Sequence, residues 1–100
     1  VSTDCPSGPR EILAPKTDIK SSAKIIEEAE FGILTPACLG EYRAIKKGLS
    51  PEENFLAKAV LMLLGNSELA AKYKNKSLVR VNDFNSDSAI STWETIFKNV

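Results

Sequence analysis

Apolar positions crowd into one stretch, 50–65, which reads SPEENFLAKAVLMLLG. Phe55, Leu56, Ala57, Ala59, Val60, Leu61, Met62, Leu63 and Leu64 leave almost no polar face, a pattern that predicts a helix buried at the centre of a small helical domain. Its ends are marked. Ser50 has the chemistry of an N-cap, Pro51 suits the first helical position and Glu53 is spaced to close a capping box. Gly65 is the residue type that best takes a left-handed stop. The apolar run is shorter than the roughly 20 residues needed to cross a bilayer.

Weaker periodicities flank that stretch. Over 18–31, Ile19, Ala23, Ile26 and Ala29 recur at three- and four-residue steps, predicting an amphipathic helix stopped by Gly32. Thr35 and Pro36 open a further predicted helix over 35–47 that buries Cys38, Leu39, Tyr42 and Ile45. Asn66 or Ser67 caps another through Leu69, Ala70, Ala71 and Tyr73. The stretch 78–84, LVRVNDF, alternates like a strand without an evident partner. It reads as an extended connector or as the continuation of the preceding helix. A last helix over 87–98 carries Ile90, Trp93, Ile96 and Phe97 on one stripe, with Val100 beyond. Residues 1–16, with Pro6, Gly8, Pro9 and Pro15, predict an extended arm.

The fold expected from this pattern is all-α: a compact bundle of four to five short helices around the buried helix 50–65. The arm 1–16 precedes a single helical domain over 17–100. Phe31, Leu39, Tyr42, Phe55, Val60, Met62, Leu63, Trp93 and Phe97 are the expected core, or the lining of a cavity between helices.

Charge and composition narrow the function. Lysine plus arginine number 13, aspartate plus glutamate number 13, and there is no histidine. A neutral balance speaks against a dedicated nucleic-acid binder, whose affinity rests on phosphate neutralisation. The lysines around Tyr73 read as a solvated helix end. Without histidine, Ser–His–Asp and Cys–His catalysis are excluded, as are histidine-containing zinc sites. The expectation is a protein that is not an enzyme.

Cys5 and Cys38 are the two cysteines. Pairing them would staple the arm to the helical domain, worth ~3.5 kcal/mol in the chain-entropy model; the alternative is two reduced thiols. The start at Val1, the little-anchored arm around Cys5 and the glycosylation sequon Asn75-Lys76-Ser77 favour an exported, disulfide-bonded chain.

One constellation carries metal chemistry. In the twelve residues 83–94, oxygen-bearing side chains fall at alternate positions: Asp83, Asn85, Asp87 and, further on, Ser91, with Glu94 last. Calcium takes six to eight oxygens, which such spacing can wrap around one ion. The stretch resembles the EF-hand calcium loop and the loop of dockerin-type modules. The resemblance implies side-chain ligation by Asp83, Asn85 and Asp87, the carbonyl of Ala89, a contact from Ser91 and a bidentate Glu94. Ser88 stands where the EF-hand has glycine, and Asn85-Ser86-Asp87 equally reads as a helix cap.

These observations predict a small exported helical binding protein acting through its surface on a protein partner. The alternatives are a carrier of a small, lipid-like apolar ligand and a module binding Ca2+ through 83–94. Neither nucleic acid nor a transmembrane segment is expected.

Overall fold

In the computed structural model, which describes residues 1–38, 40 and 48–100, the organising element is a buried strand and not the apolar helix. β1 (Ser2–Thr3), β2 (Glu27–Glu28) and β3 (Ile33–Thr35) form a three-stranded sheet in the order β1-β3-β2. β1 runs parallel to β3, with Ser2 opposite Leu34 and Thr3 opposite Thr35. β2 is antiparallel to β3, with Glu27 opposite Leu34 and Glu28 opposite Ile33. Together with helices α1 (Pro9–Leu13), α2 (Pro51–Leu64), α3 (Ser67–Val81) and α4 (Ser86–Lys98), this makes the chain α/β and overturns the all-α expectation.

Burial on both faces explains why so short a strand can organise the chain. Ile33, Leu34 and Thr35 are completely buried. Side chains of successive strand residues point to opposite faces. On one face Leu34 packs with Ala14 and Ala23, and Leu13 and Ala29 lie against them. On the other, Ile33 packs with Ala59 of α2 and Tyr73 of α3, joined by Ile26, Leu63 and Leu69. Two small cores therefore share one central strand. The 18–31 stretch serves both, as irregular chain leading into β2, and is not the predicted helix.

α2 is capped as its sequence requires. The Ser50 hydroxyl accepts from the Glu53 backbone N–H at 3.2 Å, and the Glu53 carboxylate accepts from the Ser50 N–H at 3.2 Å. Gly65 ends the helix in a right-handed conformation, φ −93°, so the expected left-handed stop is absent there. Nor is α2 enclosed. Ala59 is its buried residue, while Val60, Leu61 and Leu64 are exposed, Leu64 at 79%. The helix lays one face on β3 and α3 and leaves an apolar face open.

Asn66 caps α3 through its side-chain oxygen, which accepts from Leu69 N–H at 3.1 Å. The helix runs on through Leu78 to Val81, and Asn82–Phe84 add a 3-10 turn, so 78–84 is helical continuation. Tyr73 fixes α3 to the sheet layer by donating its hydroxyl to the Ala29 carbonyl at 3.0 Å. Burial, followed by the charge of Glu28, pushes the Tyr73 hydroxyl above its ordinary pKa.

α4 starts at Asn85, whose side-chain oxygen accepts from Ser88 N–H at 2.8 Å. Every residue of α4 is exposed. Trp93 and Phe97 stack on each other, ring centroids 5.8 Å apart, with no core beneath them. The radius of gyration is 16.8 Å, where about 13 Å is expected of a compact chain of this length. The expected compact core is therefore corrected. Val60, Trp93 and Phe97 are exposed, Phe31, Phe55, Met62 and Leu63 are half-buried, and Leu39 and Tyr42 lie outside the described residues. So does most of the helix expected over 35–47; Thr35 itself ends β3. Among the described residues, no helix is long and apolar enough to cross a membrane.

Candidate functional site

The strongest polar constellation lies where β1 leaves the sheet. Beyond Asp4 the chain makes a turn over 5–8 in which Ser7 (φ 62°) and Gly8 (φ 112°) both take positive φ. Two consecutive residues in that region reverse the chain sharply, and a non-glycine residue there carries a steric cost that usually has a reason. Pro9 then opens α1.

Arg10, the second residue of α1, points back under the turn. Its Nε and Nη2 donate to Asp4 Oδ2 at 3.0 and 2.7 Å. Nη2 and Nη1 donate to the two oxygens of Glu27 at 2.8 and 3.0 Å, and Nη1 also reaches Thr17 Oγ1 at 3.0 Å. The Arg10 and Asp4 side chains are 5% and 2% exposed. The hydrogen bonds to Glu27, and next those to Asp4, hold the guanidinium pKa above its ordinary value against the opposing effect of burial. Asp4 Oδ2 also accepts from Ala23 N–H at 2.7 Å. One buried carboxylate and one buried guanidinium thus tie together the turn, α1, the 17–23 loop and β2.

Above this network opens a polar pocket of about 360 Å³. Cys5, Ser7, Gly8 and Glu11 form one wall, and Ile19, Lys20, Ser21 and Ser22 the other, over Asp4 and Arg10. Residues that carry hydroxyls, a carboxylate, an ammonium and a thiol line one space, a set suited to a hydroxyl-rich or anionic reactant. A second hollow, about 180 Å³ and mainly apolar, lies between α1 and the end of α3, against Ile12, Phe31, Arg80 and Phe84.

The sequence-derived site residues fall elsewhere, with one exception. Cys5 lines the polar pocket; it and Cys38 are both exposed free thiols, so the expected disulfide does not form. β1 and β3 run parallel, so both cysteines follow the same end of the sheet, and Cys5 enters the 5–8 turn that leads to α1. The proposed calcium ligands are not gathered around a point. Asp83 sits in the 3-10 turn, paired with Arg80 Nη1 at 2.6 Å, and Asn85 is spent as the α4 cap. Asp87, Ala89, Ser91 and Glu94 follow along regular helix, where a loop ligand set would need the backbone to wrap. Among the described residues no cluster of three or more His, Cys, Asp or Glu could hold a metal ion. Asn75 is exposed on α3.

The residues that build the pocket went unread in the sequence because the stretch 1–16 looks like a featureless arm. A signal was present: Asp4 and Arg10 bracket Cys-Pro-Ser-Gly-Pro, opposite charges on either side of a turn.

No family model and no solved structure matches the chain. It is similar to a protein of Methanocaldococcus jannaschii named as an uncharacterized glycosyltransferase, 32% identical over 101 residues. The match takes in 98% of this chain and 25% of that protein, so the chain spans about a quarter of the relative's length. A relative named for an enzyme overturns the expectation of a non-enzymatic binding protein.

Proposed function

We propose that this chain is part of the machinery of a glycosyltransferase and that the pocket over Asp4 and Arg10 receives a polar reactant of sugar transfer. The observation that carries the reading is the likeness to the named glycosyltransferase along nearly the whole chain. The pocket supports it through its chemistry. A sugar presents many hydroxyls and an activated donor adds negative charge. Glu11 and the serines suit the hydroxyls, and Lys20 suits the anion. The open apolar faces of α2 and α4 fit a catalytic unit larger than these 100 residues, with further protein packed against them.

Glycosyl transfer does not need histidine. A carboxylate can position or deprotonate an acceptor hydroxyl, and Glu11 is the exposed carboxylate on the pocket wall. An amide-resolved NMR titration of the chain with a panel of nucleotide-activated and free sugars tests the reading. At least one activated sugar is expected to bind, with contact shifts confined to 4–11 and 19–22, and Glu11→Gln with Lys20→Ala should weaken it about tenfold or more. Absence of binding by every activated sugar at millimolar concentration, or binding unaffected by both substitutions, overturns the assignment of the pocket.

A further inference from the structure

Arg80 belongs to α3, yet two of its three side-chain hydrogen bonds go to α1. Nε donates to the Ile12 carbonyl at 2.9 Å and Nη2 to the Glu11 carbonyl at 2.9 Å. Nη1 pairs with Asp83 Oδ2 at 2.6 Å. The guanidinium carbon lies over two rings, 4.6 Å from the centroid of Phe84 and 5.3 Å from that of Phe31. The side chain is mostly buried.

The carbonyls it takes are those a helix leaves without partners in its last turn. α1 has five residues, far fewer than a helix needs to persist unaided. It is fixed by two arginines: Arg10 ties its start to Asp4 and Glu27, and Arg80 ties its end to α3. Glu11, whose carbonyl Arg80 holds, and Gly8, whose carbonyl accepts from Ile12 N–H at 3.1 Å, both line the polar pocket.

We propose that Arg80 is a positioning residue: through α1 it sets the placement of Glu11 and the 5–8 turn, and so couples the α3 end of the chain to the pocket. A lysine cannot reproduce this, because two separate carbonyls, a carboxylate and two rings call for a planar fork and not a point charge. The functional half of the proposal rests on the reading of the pocket as a sugar-transfer site; the mechanical half does not.

The test compares Arg80→Lys and Arg80→Ala with the unaltered chain by amide hydrogen exchange, by thiol labelling and by titration of the activated sugar identified as above. Exchange at Ile12 and Ala14, whose N–H groups bond to Gly8 and Arg10 within α1, is expected to speed up about tenfold or more in both variants. Amides in the middle of α2 should stay as they were. Cys5 labelling should change several-fold relative to the unaltered chain. Sugar affinity should fall in step with the loosening of α1. Unchanged exchange at Ile12 and Ala14, a lysine variant that behaves like arginine, or a uniform loss of protection through α2 and α3 each overturns the clamp. A loosened α1 with undiminished sugar affinity overturns the coupling alone. If the unaltered chain binds no activated sugar, the functional reading fails while the exchange data still decide the mechanical one.

Discussion

Arg10→Met is the most informative single change in this molecule. It removes five side-chain hydrogen bonds, of 3.0 and 2.7 Å to Asp4, 2.8 and 3.0 Å to Glu27 and 3.0 Å to Thr17. They do not count equally. Glu27 is 35% exposed at its side chain, so water takes over much of its solvation and its loss costs little. Asp4 is 2% exposed and keeps one remaining donor, the Ala23 N–H at 2.7 Å. The dominant cost is therefore a buried carboxylate left without its countercharge, about 3–5 kcal/mol. Small domains have total stabilities of about 5–15 kcal/mol, so the variant should sit near the edge of folding. Urea unfolding followed by far-UV circular dichroism reads the loss. The double variant Asp4→Asn with Arg10→Met removes the orphaned charge while an amide oxygen still serves Ala23. It should be more stable than Arg10→Met alone by about 1–3 kcal/mol, a coupling of the size expected for residues in one network. A loss below about 1 kcal/mol for Arg10→Met, or a double variant no more stable than the single one, would refute the claim that this ion pair holds the turn, α1 and the 17–23 loop together.

Three further outcomes follow from the same structure. Gly8→Ala should cost about 1–3 kcal/mol, measured by thermal melting, although an added Cβ meets nothing within 4 Å; the cost is the φ of 112° alone. Ser50→Ala removes the hydroxyl half of the α2 capping box, the bond from Glu53 N–H, while the backbone N–H of residue 50 can still donate to Glu53; it should cost about 1 kcal/mol, with Ser50→Asp restoring most of it. Tyr73→Phe loses the bond to Ala29 and about 1 kcal/mol at neutral pH. Because the folded state raises the Tyr73 pKa, the neutral hydroxyl is favoured on folding. Its contribution is complete below the unfolded value of about 10 and lost as pH rises through the folded one. The unaltered chain should thus lose stability above pH ~10 in a way that Tyr73→Phe does not, and parallel pH profiles for the two would contradict that.

Local chemistry wrote the long helices plainly. Ser50, Pro51 and Glu53 announce the start of α2, and Asn66 and Asn85 do the same for α3 and α4. Each of these caps satisfies backbone groups within three residues, so the sequence window contains the whole interaction. The sheet has no such window. β1 and β2 are two residues each, and what makes them strands is pairing with β3, some thirty residues away for β1. Ile19, Ala23, Ile26 and Ala29 mimic a helical stripe, yet Ala23 and Ala29 face the Leu34 core and Ile26 the Ile33 core. The Asp4 carboxylate, accepting the Ala23 N–H, holds that loop in a path no helix could follow. The pocket was hidden for the same reason. Asp4, Arg10 and Glu27 are unremarkable charges until the fold buries two of them together. The apolar length of 50–65 misled in the opposite direction: continuous hydrophobicity signals that every face seeks cover, not that cover is present within these residues.

The stacked pair on α4 also gives this molecule a built-in optical reporter. The chain has one tryptophan, Trp93, and it is 59% exposed in a helix that rests on little else. Its emission should be that of an indole in water. Whatever comes to lie over Ile90, Trp93 and Phe97 must strip that water away, shifting the emission to the blue and shielding it from a soluble quencher. The colour of a single residue therefore registers any packing against α4.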